Sequence, residues 1–423
     1  VTTEKDHFVE SDISLVQAAK GIKVLSSLGW DDQVCIDFLT SVDKGNPKLP
    51  VVEYPKFDYS KERALLQKIM NETPDDHPVG WYISKTAQSY QIAAMMLENL
   101  GKPAFLECSL LLYGKPMDHI GHLSNLSLAD DFISVTDDFL AALSGAPSSS
   151  AALSASESAS LIKIHSDLFF KNHSIKIVID DRLNSKATAG SERVRLRGGA
   201  TFTRNEIDQL LNHEIYVHAA TMLNGRRQPY LKSMGLGSPR TTGTQEGLAT
   251  FSELISGTMD LDRLRRIALR IKAIQNALDG ANFLEVFDFF TASGQSPVES
   301  FKSTARIFRG GNVNGGHVFT KDVVYLKGLV SVHTFLRKST QRRKIDYPQR
   351  LFSGRLTVGD IIRLEESFDD GWVSKGEYIA PWASNQQGLA AYLCYNAFSN
   401  KLRLDDLKLE DFIDEGSHPS DWE

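Results

Sequence analysis

Apolar residues recur at helical spacing along most of this chain and at strand spacing in one short region. Between residues 12 and 44, Val16, Ile22, Leu25, Leu28, Phe38 and Leu39 alternate with polar neighbours as short amphipathic helices do. Residues 86 to 101 predict a helix with Ile92, Met95, Met96 and Leu100 on one face and Gly101 as its stop. Residues 260 to 279 predict a long helix, with Leu261, Leu264, Ile267, Ala268 and Ile271 inward. Its Arg263, Arg265, Arg266 and Arg270 form a solvated or ion-paired face. Further helices are predicted around 283 to 293, 321 to 337 and 386 to 398. Ile175 to Ile179 and Arg193 to Arg197 alternate as strands. Residues 144 to 160, rich in Ser and Ala, predict a loop or linker. The pattern implies an α+β fold, predominantly helical, with one small sheet and no internal repeat.

Composition narrows the function classes. The chain has 423 residues, enough to bury a large core. Hydrophobic and charged fractions of 42% and 24% are those of an ordinary globular protein. A net charge of −6 gives no basic excess to attract nucleic acid or a membrane surface. No apolar run has the length to span a bilayer, and no secretory signal is legible. Cys35, Cys108 and Cys394 are too few and too scattered for a disulfide framework or a Cys-x-x-Cys site. A reducing, cytoplasmic compartment is the expectation.

The chemistry concentrates in His213-Glu214-Ile215-Tyr216-Val217-His218. Thr203 is placed to cap this helix, with Glu206 completing a capping box and Ile207, Leu210 and Leu211 on the buried face. Two imidazoles and a carboxylate at close range suit zinc and a water to be activated. The familiar zinc-hydrolase spacing is H-E-x-x-H. Here one residue is added. On an α-helix, positions five apart point roughly 140° away from each other. The two histidines can share an ion only if the helix is widened or ends between them, and a π-bulge is predicted there. A third ligand must come from another helix. Thr242 to Glu253 predicts one, with Glu246 as the first candidate. Gly247 would let the two helices approach closely. Glu253 is the competitor, or else an acceptor that orients a ligand histidine. Residues 191 to 201 could form an edge strand that pairs with an extended substrate. They could equally be a surface strand carrying three arginines.

Gln245-Glu246-Gly247-Leu248-Ala249 resembles the signature of the QEGLA-motif family of zinc metallopeptidase-like proteins. Leu112-Tyr113-Gly114-Lys115-Pro116, Asn224-Gly225-Arg226-Arg227-Gln228-Pro229, Phe308-Arg309-Gly310-Gly311 and the block from Gly315 to Gly328 are similar to the family in the same order. The similarity spans roughly residues 15 to 400. The family includes the eukaryotic microtubule-associated tyrosine carboxypeptidases, which remove the C-terminal tyrosine of α-tubulin, and many bacterial proteins, whose type this chain is closer to. The resemblance implies a zincin-like fold with a small sheet over the motif helix. The chain is expected to divide into an N-terminal helical segment over residues 1–50 and a metallopeptidase-like catalytic domain over 51–423. The resemblance also implies Zn²⁺ held by His213, His218 and Glu246, with Glu214 as base.

A carboxypeptidase reading asks for more groups. An oxyanion needs a donor, and His317 and Tyr325 in the Gly-rich block are the candidates. A substrate's terminal carboxylate needs a cation, for which Arg306, Arg309 and Lys321 are the candidates. The expected partner is a peptide or protein C-terminus, with no nucleic acid and no membrane. The competing expectation is a non-catalytic regulatory protein that keeps a zinc site.

Overall fold

The computed structural model of the chain describes residues 3–143, 152–181, 183, 186–190 and 192–401. It is predominantly helical with small β-sheets and a zincin-like arrangement around one helix. That helix starts where the sequence marks it. Thr203 Oγ1 accepts from Glu206 N at 3.2 Å, and Glu206 Oε2 accepts from Thr203 N at 2.9 Å. The helix runs as α over Arg204–Leu210, as π over Leu211–Ala219, and as α again over Ala220–Arg227. Ile207, Leu211, Ile215 and Ala219 bury its back against Phe170, Val194, Leu196 and Phe202.

Three strands lie on that side: β1 (Lys176–Ile179), β2 (Ala187–Ala189) and β3 (Arg193–Leu196). The order is β1-β3-β2, with β1 parallel and β2 antiparallel to β3. The expectation of an edge strand at 191 to 201 is therefore corrected. β3 is the central strand, hydrogen-bonded on both sides, with Val194 and Leu196 in the core. Alternation shows which face a residue takes and does not show which strands flank it. The edge lying against the motif helix is β2.

The Ser/Ala-rich stretch is also corrected in part. Residues 144–151 lie outside the described residues, while Leu153–Ser154 pairs antiparallel with Thr201–Phe202. Ala155–Phe170 is a helix. Ser154 and Glu157 form its capping box, and alanine is the strongest helix former. The local cap outweighs a loop-like composition.

The other side of the motif helix faces the main core. Here Thr242–Ile255, the helix carrying Gln245 to Ala249, crosses Val324–Gln341 almost backbone to backbone. A Cβ built on Gly247 would lie 2.3 Å from the carbonyl of Gly328, and one on Gly328 would lie 2.3 Å from that of Gly243. Gly247 thus admits the 324–341 helix rather than the motif helix. Phe8 and Leu15 of the first helix, Glu4–Ala19, belong to this same core. Asp12 of that helix is fully buried and accepts from the Ser233 amide and hydroxyl, just beyond the motif helix. Among the described residues no helix is long and apolar enough to cross a membrane.

Candidate metal centre

The extra residue in H-E-x-x-x-H is absorbed by the widened turn. Ala220 N donates to Ile215 O, a bond that closes over five residues instead of four. The predicted π-bulge is present, and it turns His213 and His218 to the same side. Their rings lie 4.8 Å apart, nearly perpendicular. Glu246 comes from the first turns of the 242–255 helix. Its Oε2 is 3.6 Å from His213 Nε2 and 3.7 Å from His218 Nε2. Donor atoms of all three lie within 4.8 Å of one another, and the three could hold a metal ion. Two ligands about 2.1 Å from a tetrahedral ion sit about 3.4 Å apart, so the spacing fits a shared ion better than direct hydrogen bonds. His218 Nδ1 is buried with no partner among the described residues.

Glu253 lies behind His213, outside the cluster. It is wholly buried, and its Oε1 lies 2.5 Å from His213 Nδ1, which leaves Nε2 pointing at the cluster. Arg263 grips both Glu253 oxygens, and Gln209 Nε2 donates to Oε2 at 2.8 Å. Burial opposes a charge on His213, yet Glu246 and Glu253 push it up to about 10. Burial likewise opposes a charge on Glu246. Lys321 and the two histidines overcome this and hold its carboxyl well below the usual range. Glu214 sits half-buried on the same widened turn, and its charge acts on both His213 and Arg355.

Lys321 Nζ donates to Glu246 Oε1 at 3.1 Å and to the Tyr325 hydroxyl at 3.4 Å. Tyr325 is thereby beside the cluster, with the Arg270 guanidinium 6.0 Å from its ring. Arg306 is held at two nitrogens by Asp322, at 2.7 and 2.8 Å. Arg309 lies 5.3 Å over the Phe319 ring and makes no hydrogen bond through Nε. Burial and the neighbouring Arg306 charge lower both Arg270 and Arg309 to about 10. These three arginines line a cavity of about 450 Å³ together with Trp30, Asp32 and Glu299.

His317 is not brought to the cluster. Its carbonyl accepts from Asn312 N, and the adjoining Gly316 N donates to Ala277 O at the far end of the Leu261–Leu278 helix. Arg263, which touches the site, is on the first turn of that helix, about 21 Å away along its axis. Among the described residues no hydrogen bond, ion pair or ring contact joins the His317 imidazole to the site. Sequence reasoning missed Arg355, Arg263 as the clamp on Glu253, and Gln209. Only Arg263 carried a signal, as one of four arginines on a helix otherwise packed inward.

No curated protein matches the chain. A family model described as microtubule-associated tyrosine carboxypeptidase matches residues 37–401, most of the chain and every residue of the cluster. This protein belongs to that family, the MATCAP family.

Proposed function

We propose that this protein is a zinc-dependent carboxypeptidase that removes a C-terminal residue from a peptide or protein. The observation that carries the reading is the buried His213, His218 and Glu246 cluster with Glu214 on the same widened turn, in a chain of this family. Two imidazoles and one carboxylate are a donor set of catalytic zinc sites. Such an ion supplies Lewis acidity that polarises a carbonyl and eases deprotonation of water.

The chain's own residues do the rest. Glu214 takes the proton from the attacking water and passes it to the leaving amine. The Tyr325 hydroxyl donates to the developing oxyanion, with Lys321 keeping it in place. Lys321 also fixes the free oxygen of Glu246. Glu253 and Arg263 keep His213 in one tautomer and one orientation. The compartment proposed is the cytoplasm, in keeping with three free cysteines.

The test is metal content by mass spectrometry on protein purified without chelators. About one zinc per chain is expected, lost in His213→Ala and kept in Glu214→Gln. The loaded protein should trim peptides that end in a free carboxylate and leave their amides intact. A zinc-free protein that takes up none on addition would remove the reading.

A further inference from the structure

Among the described residues, Arg355 has a side chain near the cluster with no hydrogen-bond or ion-pair partner. Arg355 lies in the turn after Phe352, Ser353 and Gly354 and is largely shielded from solvent. Among the described residues its side chain makes no hydrogen bond and no ion pair, and its Nε is buried and orphaned. A buried guanidinium N–H without an acceptor is costly.

Three residues beyond Arg355, Val358 N donates to Thr244 Oγ1 at 3.1 Å, two residues before Glu246. The charges that act on Arg355 are those of Glu246, Tyr90, Glu214 and Arg226. Among the described residues it forms an ion pair within 4.0 Å of neither carboxylate. Gly237 leaves room for the guanidinium itself, since a Cβ there would lie 3.1 Å from Arg355 Nη1.

The turn is fixed to the motif helix. Asn224 Nδ2 donates to Phe352 O and Gln228 Nε2 to Ser353 O, each at 2.7 Å. Arg355 N donates to Met234 O at 2.7 Å. Gly354 is pressed so tightly that a Cβ would meet Met234 at 2.8 Å. Asn224 lies on, and Gln228 caps, the helix that carries His213, Glu214 and His218. Both histidines, the base and Arg355 are therefore tied to one helix.

We propose that Arg355 receives the free C-terminal carboxylate of the substrate. This rests on the carboxypeptidase reading above and names its specificity residue. A guanidinium offers a carboxylate two parallel N–H donors, and the bound substrate supplies the missing counter-charge. The other candidates are worse placed. Arg306 spends its fork on Asp322 and Lys321 is committed to Glu246. Arg309 feels Arg306, Asp322 and Tyr325 instead of Glu214 and Glu246. Burial pushes the Arg355 pKa down, a penalty that a bound carboxylate relieves.

The test uses zinc-loaded, full-length Glu214→Gln protein, which binds without cleaving. Twenty fluorescein-labelled hexapeptides, one for each terminal residue, are titrated as free acids and as amides by fluorescence anisotropy. With Arg355 present the best acid should bind about ten- to hundredfold tighter than its amide. Arg355→Ala should abolish that ratio while zinc content and amide binding stay unchanged. Arg355→Lys should keep part of it. A ratio untouched by Arg355→Ala overturns the assignment and leaves the carboxypeptidase reading standing. No preference for acid over amide with Arg355 present, including no binding at all, removes both.

Discussion

At the scale of single residues, the site shows how much of a ligand's behaviour is set behind it. His213 can present Nε2 to an ion because Nδ1 is occupied by Glu253, and Glu253 tolerates complete burial because Arg263 and Gln209 neutralise and saturate it. Replacing Glu253 with Gln keeps the shape and removes the charge. Zinc affinity should fall about ten- to hundredfold, measured by competition with a chromophoric chelator at fixed pH. An unchanged affinity would mean that the contact only packs. Asp12 shows the opposite balance. Burial pushes it up to about 6, against hydrogen bonds from Ser233 and the nearby Lys232 charge. A carboxyl raised on folding contributes stability that is complete below about pH 4 and is lost as pH rises through 6. Asp12→Asn does not titrate. The variant's melting temperature relative to the parent should therefore be higher at pH 8 than at pH 5, corresponding to about 1.4 kcal/mol. A difference that ignores pH would show that Asp12 keeps an ordinary carboxylate's behaviour.

At the scale of elements, two devices place the three residues of the cluster. The widened turn brings together histidines five apart, and the glycine crossing sets the depth of the helix that carries Glu246. Gly247→Ala should force that crossing apart, since no flexible side chain stands at 2.3 Å to give way. A loss of more than about 2 kcal/mol in stability is expected, together with weakened zinc binding. Gly243→Ala, four residues earlier on the same helix, meets nothing within 4 Å and should be neutral or stabilising. Calorimetry and metal content on the two variants check this, and equal effects would discard the crossing as the cause.

At the scale of the whole molecule, the site gathers residues from 209 to 355 onto one helix and its neighbours. Legibility in the sequence followed distance along the chain. His213, Glu214, His218 and the bulge between them are local, so spacing and helix geometry revealed them. Glu246 was readable through the Q-E-G-L-A stretch. Whether Glu253 was a ligand or an orienting acceptor needed three dimensions, because both lie on one helix at accessible spacing. The central position of Arg193–Leu196 was hidden, since strand order leaves no trace in alternation. The helix at Ala155–Phe170 was written in Ser154 and Glu157 and masked by the small residues around them. Arg355 had no local signal. Its place depends on Asn224 and Gln228 reaching a turn remote in sequence.

The crossing of Gly247 over Gly328 has a consequence for how this chain can change. Side-chain interfaces drift by exchanging volume, one residue growing as its neighbour shrinks. Two main chains in contact have no volume to exchange. The depth of Glu246 is thus insulated from substitutions in the surrounding core, and the phenylalanine-rich interior can be rewritten while this carboxylate keeps its place. The same insulation is brittle, because a single methyl group on either glycine leaves the drifting sequence no neighbour with which to compensate.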